Sequence, residues 1–211
     1  MRLDHLSYAA GPEGARASAS KLGQLLGSEF VDGGFHPRFG TRNFTLPLSE
    51  GRYVEVVEVL DHPAAEKAVF GQVVRARSAE GGGWLGWVVA VSDLAEYETR
   101  IGRRAIEGHR HRPDGALLEW LQLGVAGLQS DPQLPFFVYW LSDPAIHPSS
   151  DGGHLDLLGL EIAGSQNRVE SWLGGAAAEV LADIPIDWVA PNGQPGLIAA
   201  TFGTEHGVVR I

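Results

Sequence analysis

The sequence has no cysteine in its 211 residues. Disulfides, thiolate nucleophiles and metal sites built on cysteine are therefore excluded. Basic residues are scarce as well, because 16 lysines and arginines stand against 26 aspartates and glutamates, for a net charge of −10 at pH 7. Nucleic acid and anionic membrane surfaces attract clustered basic side chains, so we expect neither as a partner.

Long hydrophobic runs are also absent. No apolar stretch approaches the roughly 20 residues that cross a membrane, and the first residues lack the apolar segment of a signal peptide. The sequence contains neither a Gly-x-Ser-x-Gly nucleophile motif nor a Walker A loop. Hydrophobic residues make up 44% of the chain, which is enough to fill a core. We therefore expect a folded cytoplasmic protein.

The predicted secondary structure repeats along the chain. Residues 3–9 alternate like a half-buried strand, residues 15–26 have helical spacing and stop at Gly27, and three strand patterns follow. This order recurs twice, and chance rarely repeats an order of elements. The predicted organisation is a βαβββ module over residues 1–60, a linker with a short helix over 61–83, a second module over 84–141, a linker over 142–154 and a degenerate third module over 155–211.

Two predicted strands of the first module each place one ionisable side chain, His5 or Glu55, among apolar neighbours. A neutral imidazole supplies a metal ligand or a general base near pH 7, although a histidine at the start of a strand can also simply bond to a neighbouring carbonyl or carboxylate. A buried carboxylate needs a metal, a base or a hydrogen-bond network. The alternative is a strand in which Glu55 faces water and Glu58 faces inward.

These two strands belong to a set of short motifs that resembles a known family. The first strand reads Leu-Asp-His-Leu from residue 3, and the fourth reads Tyr-Val-Glu-Val-Val from residue 53. Together with residues 33–37, 40–43, 112–115, 118–120, 134–140 and 147–149, they resemble the vicinal oxygen chelate superfamily and its glyoxalase-like branch. The resemblance implies an α+β fold in which βαβββ modules form a curved mixed-sheet half-barrel cleft with helices outside.

The same resemblance implies a divalent metal, such as Zn, Ni, Mn or Fe, whose ligands come from the first and last strands of two modules. Applied to this sequence, the resemblance implies that His5 and Glu55 are metal ligands and catalytic residues. In the second module, however, Trp87 aligns with His5, and Phe137 or Val138 aligns with Glu55. None of these side chains offers the nitrogen or oxygen that a divalent ion requires. The standard four-ligand site therefore cannot be assembled from the usual positions.

Several residues are candidates for binding a substrate. Arg112 could clamp a carboxylate or phosphate, or it could bridge to Asp114 in its own turn. Asn43, with Thr41 and Arg42, could contact a ligand. Alternatively, all three could be residues at the start of a strand that pair with the loop at Gly40. Aromatic side chains on the predicted barrel strands could line an apolar pocket or could be core; they are Trp87, Trp120, Phe137 and Trp140.

The remaining histidines give weaker signals. His109 and His111 share one face of a predicted strand, which permits chelation but is also typical of a solvated hairpin arm. Five others lie in or beside predicted loops: His36, His62, His147, His154 and His206. Of these, His147 and His154 are the best reserves for a third ligand.

Two functions follow as hypotheses. The first is a glyoxalase-like protein of unassigned activity that binds a small molecule in the barrel cleft and lacks the standard four-ligand metal site. The second is a divalent-metal-dependent lyase, isomerase or dioxygenase with His5 and Glu55 as a partial metal site. The sequence leaves open whether the modules pair within one chain or across a homodimer.

Overall fold

The computed structural model describes residues 1–174 and 184–211. Residues 175–183, which fall within the predicted third module, lie outside the described residues. The elements of the first 60 residues are β1 Arg2–Ala9, α1 Ala15–Leu26, β2 Val31–His36, β3 Thr41–Pro47, a short 3-10 helix Ser49–Gly51, and β4 Tyr53–Val59. Helix α1 ends where the pattern predicts, because Gly27 takes the left-handed conformation that glycine adopts at little cost.

Residues 61–83 hold two helices where the sequence predicts one short helix in a linker. They are α2 Pro63–Lys67 and α3 Val69–Ala79. Phe70, Val73 and Val74 of α3 are buried in a core cluster shared with the barrel strands. Gly81 and Gly82 then lead into the next strand, and Gly82 packs closely, because a side chain there would meet the backbone of Ala9, Ala10 and Gly11.

The second set of elements repeats the order of the first. It comprises β5 Gly83–Ala90, α4 Ala95–Ile101, β6 Ile106–His111, β7 Leu117–Leu123, α5 Gly127–Ser130, β8 Phe136–Trp140 and a short 3-10 helix Pro144–Ile146. Eight strands form one closed barrel in the order β1-β4-β3-β2-β6-β7-β8-β5. The α+β fold class with a curved mixed sheet is thus confirmed, and the predicted half-barrel cleft closes into a barrel.

Two parallel strand pairs inside the barrel correspond position by position. In β1 and β4, His5 lies opposite Tyr53 and Ser7 lies opposite Glu55. In β5 and β8, Val88 lies opposite Phe136 and Ala90 lies opposite Val138. The counterpart of His5 is therefore Val88, and the counterpart of Glu55 is Val138.

A separate sheet packs outside the barrel. Its elements are β9 Asp156–Ala163, α6 Gln166–Leu173, β10 Ile186–Val189, β11 Gly196–Thr204 and β12 Gly207–Arg210, with strand order β10-β9-β11-β12. Its first strand, β9, pairs in parallel with the next strand along the chain, β10, whereas β1 and β5 of the barrel pair in parallel with β4 and β8, the last strands of their halves. Trp87 and Phe137 pack against this sheet in the largest core cluster, with Ile162 and Phe202. The boundaries of the three modules stay a prediction.

The described residues include no helix that is long and apolar enough to cross a membrane.

Candidate active site in the barrel

Glu55 lies on the inner face of the barrel and is buried. Ser7 donates a hydrogen bond to its Oε1 at 2.6 Å, and Asn43 donates to its Oε2 at 2.7 Å. Burial acts to raise the pKa of Glu55, but His5, His36 and these two hydrogen bonds outweigh it and hold the pKa below its usual value. Glu58 is the outward carboxylate, since it bonds to the backbone nitrogen of Ala15 near the surface. The inward orientation of Glu55 therefore supplies a buried, ionised carboxylate.

His5 forms a pair with the residue before it. The Nδ1 atom of His5 lies 2.9 Å from Oδ2 of Asp4, and its Nε2 atom lies 3.8 Å from Oε1 of Glu55. Adjacent residues on a regular strand point to opposite faces, but Asp4 occupies a β-bulge between β1 and β5. The carboxylate orients the imidazole through Nδ1, so Nε2 is the nitrogen that can exchange a proton with a bound molecule.

Asp4 is wholly buried and is surrounded by donors. The indole of Trp140 donates to Oδ2 at 3.2 Å, while Arg2 lies 2.8 Å and Nε2 of His147 lies 3.4 Å from Oδ1. Burial opposes ionisation of this carboxyl group, but His147, His5 and Arg2 hold its pKa well below its usual range. The predicted linker thus brings His147 to the site, beside Asp4 and not beside Glu55.

Arg110 reaches the same inner face from β6. It is buried, and one of its terminal nitrogens donates to Oδ1 of Asn43 at 2.8 Å. This hydrogen bond passes over β2 at Gly33, where a side chain would collide with both Asn43 and Arg110. Arg110, Asn43 and Glu55 therefore form one hydrogen-bonded row across the join between the two halves of the barrel.

Two further polar side chains of the interior stay neutral near pH 7. Burial, reinforced by the charge of Arg110, lowers the pKa of His36 to about 3, and its Nδ1 lies 2.9 Å from the hydroxyl of Thr41. Burial, together with Asp4 and Glu55, raises the pKa of Tyr53 well above its usual value. Tyr53 stacks on the ring of His5 with 4.4 Å between ring centroids. The charged groups at the cavity thus include Glu55 and Arg110.

These residues enclose a cavity of about 40 Å³ inside the barrel, which has room for a few water molecules. Its polar lining is His5, His36, Asn43, Glu55, Arg110 and Gln122. Its aromatic lining is Phe39, Tyr53, Phe70, Trp120, Phe136 and Trp140. The cavity is therefore lined by polar and aromatic side chains together.

The predicted site residues divide into two groups. The structure brings His5, Asn43, Glu55, Trp120 and Trp140 together at the cavity. The interpretation of Trp87 and Phe137 as pocket residues is wrong. Both point out of the barrel into the core under the outer sheet, where Trp87 donates to the carbonyl of Gln133 and Phe137 packs on Tyr97.

Arg112 does not reach the cavity. It pairs with Asp114 at 3.0 Å, as the alternative interpretation expects, and contacts the carbonyl of Ile146. His109 and His111 lie side by side on the outer face, with 5.7 Å between ring centroids, while Arg110 between them points inward. His154 and His206 are exposed, and His62 caps α2 by accepting a hydrogen bond from Ala64.

The side chains at the site offer few donors for a divalent metal ion. His5 and Glu55 are within 3.8 Å of each other, but both oxygens of Glu55 already accept hydrogen bonds. The corresponding positions in the other half are Val88 and Val138, which offer no donor. Within residues 1–174 and 184–211, no group of three or more histidines, aspartates and glutamates could hold a metal ion. The residues present do not fit the standard four-ligand site.

Sequence reasoning missed five polar residues of this site: Asp4, Ser7, Tyr53, Arg110 and Gln122. Strand alternation was a sufficient signal for Ser7, which lies two residues after His5, and for Arg110, which lies between two outward histidines. No local signal marks the bulge that turns Asp4 inward.

Residues 3–177 match the family model described as a Glyoxalase-like domain. This match covers most of the chain, so the protein belongs to the glyoxalase-like family, within the vicinal oxygen chelate superfamily.

Solved structures with a similar fold are distant in sequence. A hypothetical protein from Staphylococcus aureus is 15% identical, with a TM-score of 0.58 over 100% of this chain and 85% of that chain. A variant of methylmalonyl-CoA epimerase from Streptomyces coelicolor, in complex with 2-nitronate-propionyl-CoA, is 15% identical with a TM-score of 0.42 over 66% of this chain and 96% of that chain. At these identities the likeness concerns the fold. A search of curated proteins gave no match.

Proposed function

We propose that the protein binds a small molecule inside the barrel, with Glu55 and the Asp4–His5 pair as polar groups of the site. The observation that carries this proposal is the cavity itself, whose lining combines ionisable and aromatic side chains. Such a combination is typical of small-molecule sites, where apolar walls exclude water and a few polar groups fix orientation. The Asp4–His5 pair would also be able to take a proton from the bound molecule.

Ligand-observed NMR on a panel of anionic, cationic and neutral fragments tests this proposal. Val138→Trp fills the cavity, and Val208→Trp is its matched control, because Val208 is 70% exposed on β12. We expect fragments that bind the wild type and Val208→Trp but not Val138→Trp, with circular dichroism showing that both variants fold. Fragments that bind all three proteins equally, or no binding fragment in any charge class, would refute a site in the barrel.

The alternative is a divalent-metal-dependent lyase, isomerase or dioxygenase with His5 and Glu55 as a partial metal site. Their 3.8 Å separation favours it, and the small number of donors argues against it. Elemental analysis of protein purified without an affinity tag separates the two functions. Near-stoichiometric metal that disappears in both His5→Ala and Glu55→Ala would replace the first proposal with this one. A cytoplasmic location and a homodimer stay predictions from the sequence.

A further inference from the structure

Arg110 is a buried cation whose charge the protein compensates poorly. It is 4% exposed, and its hydrogen bond goes to the neutral amide of Asn43. Its Nε atom is buried without a hydrogen-bond partner. In the part of the chain that the structure describes, no carboxylate forms an ion pair with it. A guanidinium has five N–H donors and stays charged, so burial in this state is costly.

The nearest carboxylates are engaged elsewhere. Asn43 stands between Arg110 and Glu55, and both oxygens of Glu55 are already bonded. Asp32 lies 2.6 Å from Arg42. Glu55 and Asp32 favour the charge of Arg110 without pairing with it, and Arg112 opposes that charge by repulsion. A carboxylate placed directly against Arg110 would therefore form the ion pair that Glu55 and Asp32, which are bonded to other donors, do not form with it.

Arg110 also lies where a charged molecule can approach. It lines the barrel cavity and, in addition, an outer cleft of about 290 Å³ that includes Gly33, Arg112, His147 and His154. Gly33 contributes no side chain to this wall, and Arg110 is the residue common to the two linings. A molecule in the cavity can thus place one end against Arg110 and another against His5 and Glu55.

We propose that Arg110 anchors the carboxylate of the ligand, so that the barrel binds a small organic acid. This inference rests on the proposed function and specifies the class of its ligand. A planar carboxylate matches the paired N–H groups of a guanidinium, and charge-assisted hydrogen bonds of this kind are among the strongest in proteins. The small cavity favours an acid of a few carbon atoms over a large phosphate ester.

The test compares pairs of probes that differ in charge and little in shape: acetate with acetamide, and pyruvate with pyruvamide. Binding is measured by tryptophan fluorescence, since Trp120 and Trp140 line the cavity, and by the shift in melting temperature. We expect each acid to bind the wild type at least about tenfold more tightly than its amide, which corresponds to one charge-assisted contact. The acids should also raise the melting temperature, because they bind the folded state.

Arg110→Gln should lose most of this preference for the acid, and Arg110→Lys should keep part of it, because lysine retains the charge without the fork. Arg104→Gln is the matched control, since Arg104 is 90% exposed and pairs with Glu98. It should bind the acids as the wild type does.

Three outcomes would overturn the inference, and they separate it from the proposed function. Equal binding of acids and amides, lost in Val138→Trp, would leave the cavity as a binding site and refute the anionic ligand. A preference for acids that persists in Arg110→Gln would refute Arg110 as the anchor. No binding of any probe to the wild type would refute the inference, and together with an empty fragment screen it would refute the proposed function as well.

Discussion

The two halves of the barrel place different side chains at corresponding positions. In the first half, β1 and β4 present His5, Ser7 and Glu55 to the interior, and in the second half, β5 and β8 present Val88, Ala90 and Val138. The backbone pairing is the same in both halves, so the fold alone does not require a polar interior. The duplicated strands therefore carry the architecture, while the imidazole and carboxylate lie on β1 and β4 and the second half contributes Arg110 from β6.

The largest expected effect on stability comes from a buried charge introduced among the apolar side chains of β5 and β8. Val138→Glu places a carboxylate at the counterpart of Glu55, where the nearby strand offers Ala90 and Val88 in place of Ser7 and His5. We expect a loss of about 3–5 kcal/mol in the free energy of unfolding, measured with urea, because the added charge is buried in the small cavity that already holds the carboxylate of Glu55. Val208→Glu on the exposed surface should change it by no more than about 0.5 kcal/mol. A Val138→Glu protein as stable as the wild type would show that the two halves are not different environments.

Removing the carboxylate from the polar half should have the next largest effect. Glu55→Gln replaces the ionised acceptor by a neutral amide, so Ser7 and Asn43 lose their charge-assisted hydrogen bonds. We expect a loss of about 2 kcal/mol at pH 7, against no more than about 0.5 kcal/mol for Glu119→Gln at the surface.

This loss should depend on pH in a defined direction. The pKa of Glu55 is lower in the folded protein than its usual value of 4.5, so its ionised form stabilises the fold above pH 4.5. The stabilisation disappears as the pH falls through the folded pKa. The difference between wild type and Glu55→Gln should therefore narrow below pH 4.5, and a difference that widens on acidification would contradict the assigned hydrogen bonds.

His36 provides a test that depends on pH, because its protonation would add a positive charge to the interior of the barrel. Its pKa is about 3 in the folded protein and 6.5 when unfolded, so its neutral form stabilises the fold above pH 6.5. Stability should fall as the pH drops from 6.5 towards 3, by about 2 kcal/mol by pH 5. Urea unfolding of wild type and His36→Gln between pH 5 and 7.5 measures this, and the variant should show a flatter profile. Identical profiles would mean that His36 is protonated in the folded state.

The smallest expected effect concerns the contact between the halves. Trp140, on β8 of the second half, donates a hydrogen bond to Asp4 in the first. Trp140→Phe removes that donor, and we expect an additional loss of about 1 kcal/mol relative to Trp188→Phe on the outer sheet. The free energy of unfolding of both variants provides the measurement. An equal loss in both would indicate that the indole donor contributes nothing to holding Asp4.

The sequence predicts the polar half better than the apolar half, for a physical reason. In β4 the carboxylates at 55 and 58 mark the two faces of the strand, so the family resemblance and the alternation agree on Glu55. Residues 87–89 read Trp-Val-Val and residues 136–138 read Phe-Phe-Val, with no polar residue to mark a face. A strand covered on both sides is apolar throughout, and its register cannot be taken from its pattern. The prediction was therefore one residue off at Trp87.

Other features depend on contacts that are distant in sequence. The burial of Phe70 requires α3 to pack against the barrel, and the approach of His147 to Asp4 joins residues separated by more than a hundred positions. The bulge at Asp4 arises from the pairing of β1 with β5, two strands that lie far apart in the sequence. Local patterns predicted the strands themselves, and they could not predict which side chains meet once the barrel closes.

The two halves of the barrel are joined at two places, and the number of paired residues differs between them. Strands β1 and β5 pair along their whole length, from Arg2 with Ala90 to Ala9 with Gly83, whereas β2 and β6 meet at the single pair Phe35 and His111. Transient opening of the barrel should occur mainly between β2 and β6, where we expect the backbone amide hydrogens to exchange fastest. Arg110 lies beside that join, so opening between β2 and β6 would expose to water the hydrogen-bonded row of Arg110, Asn43 and Glu55.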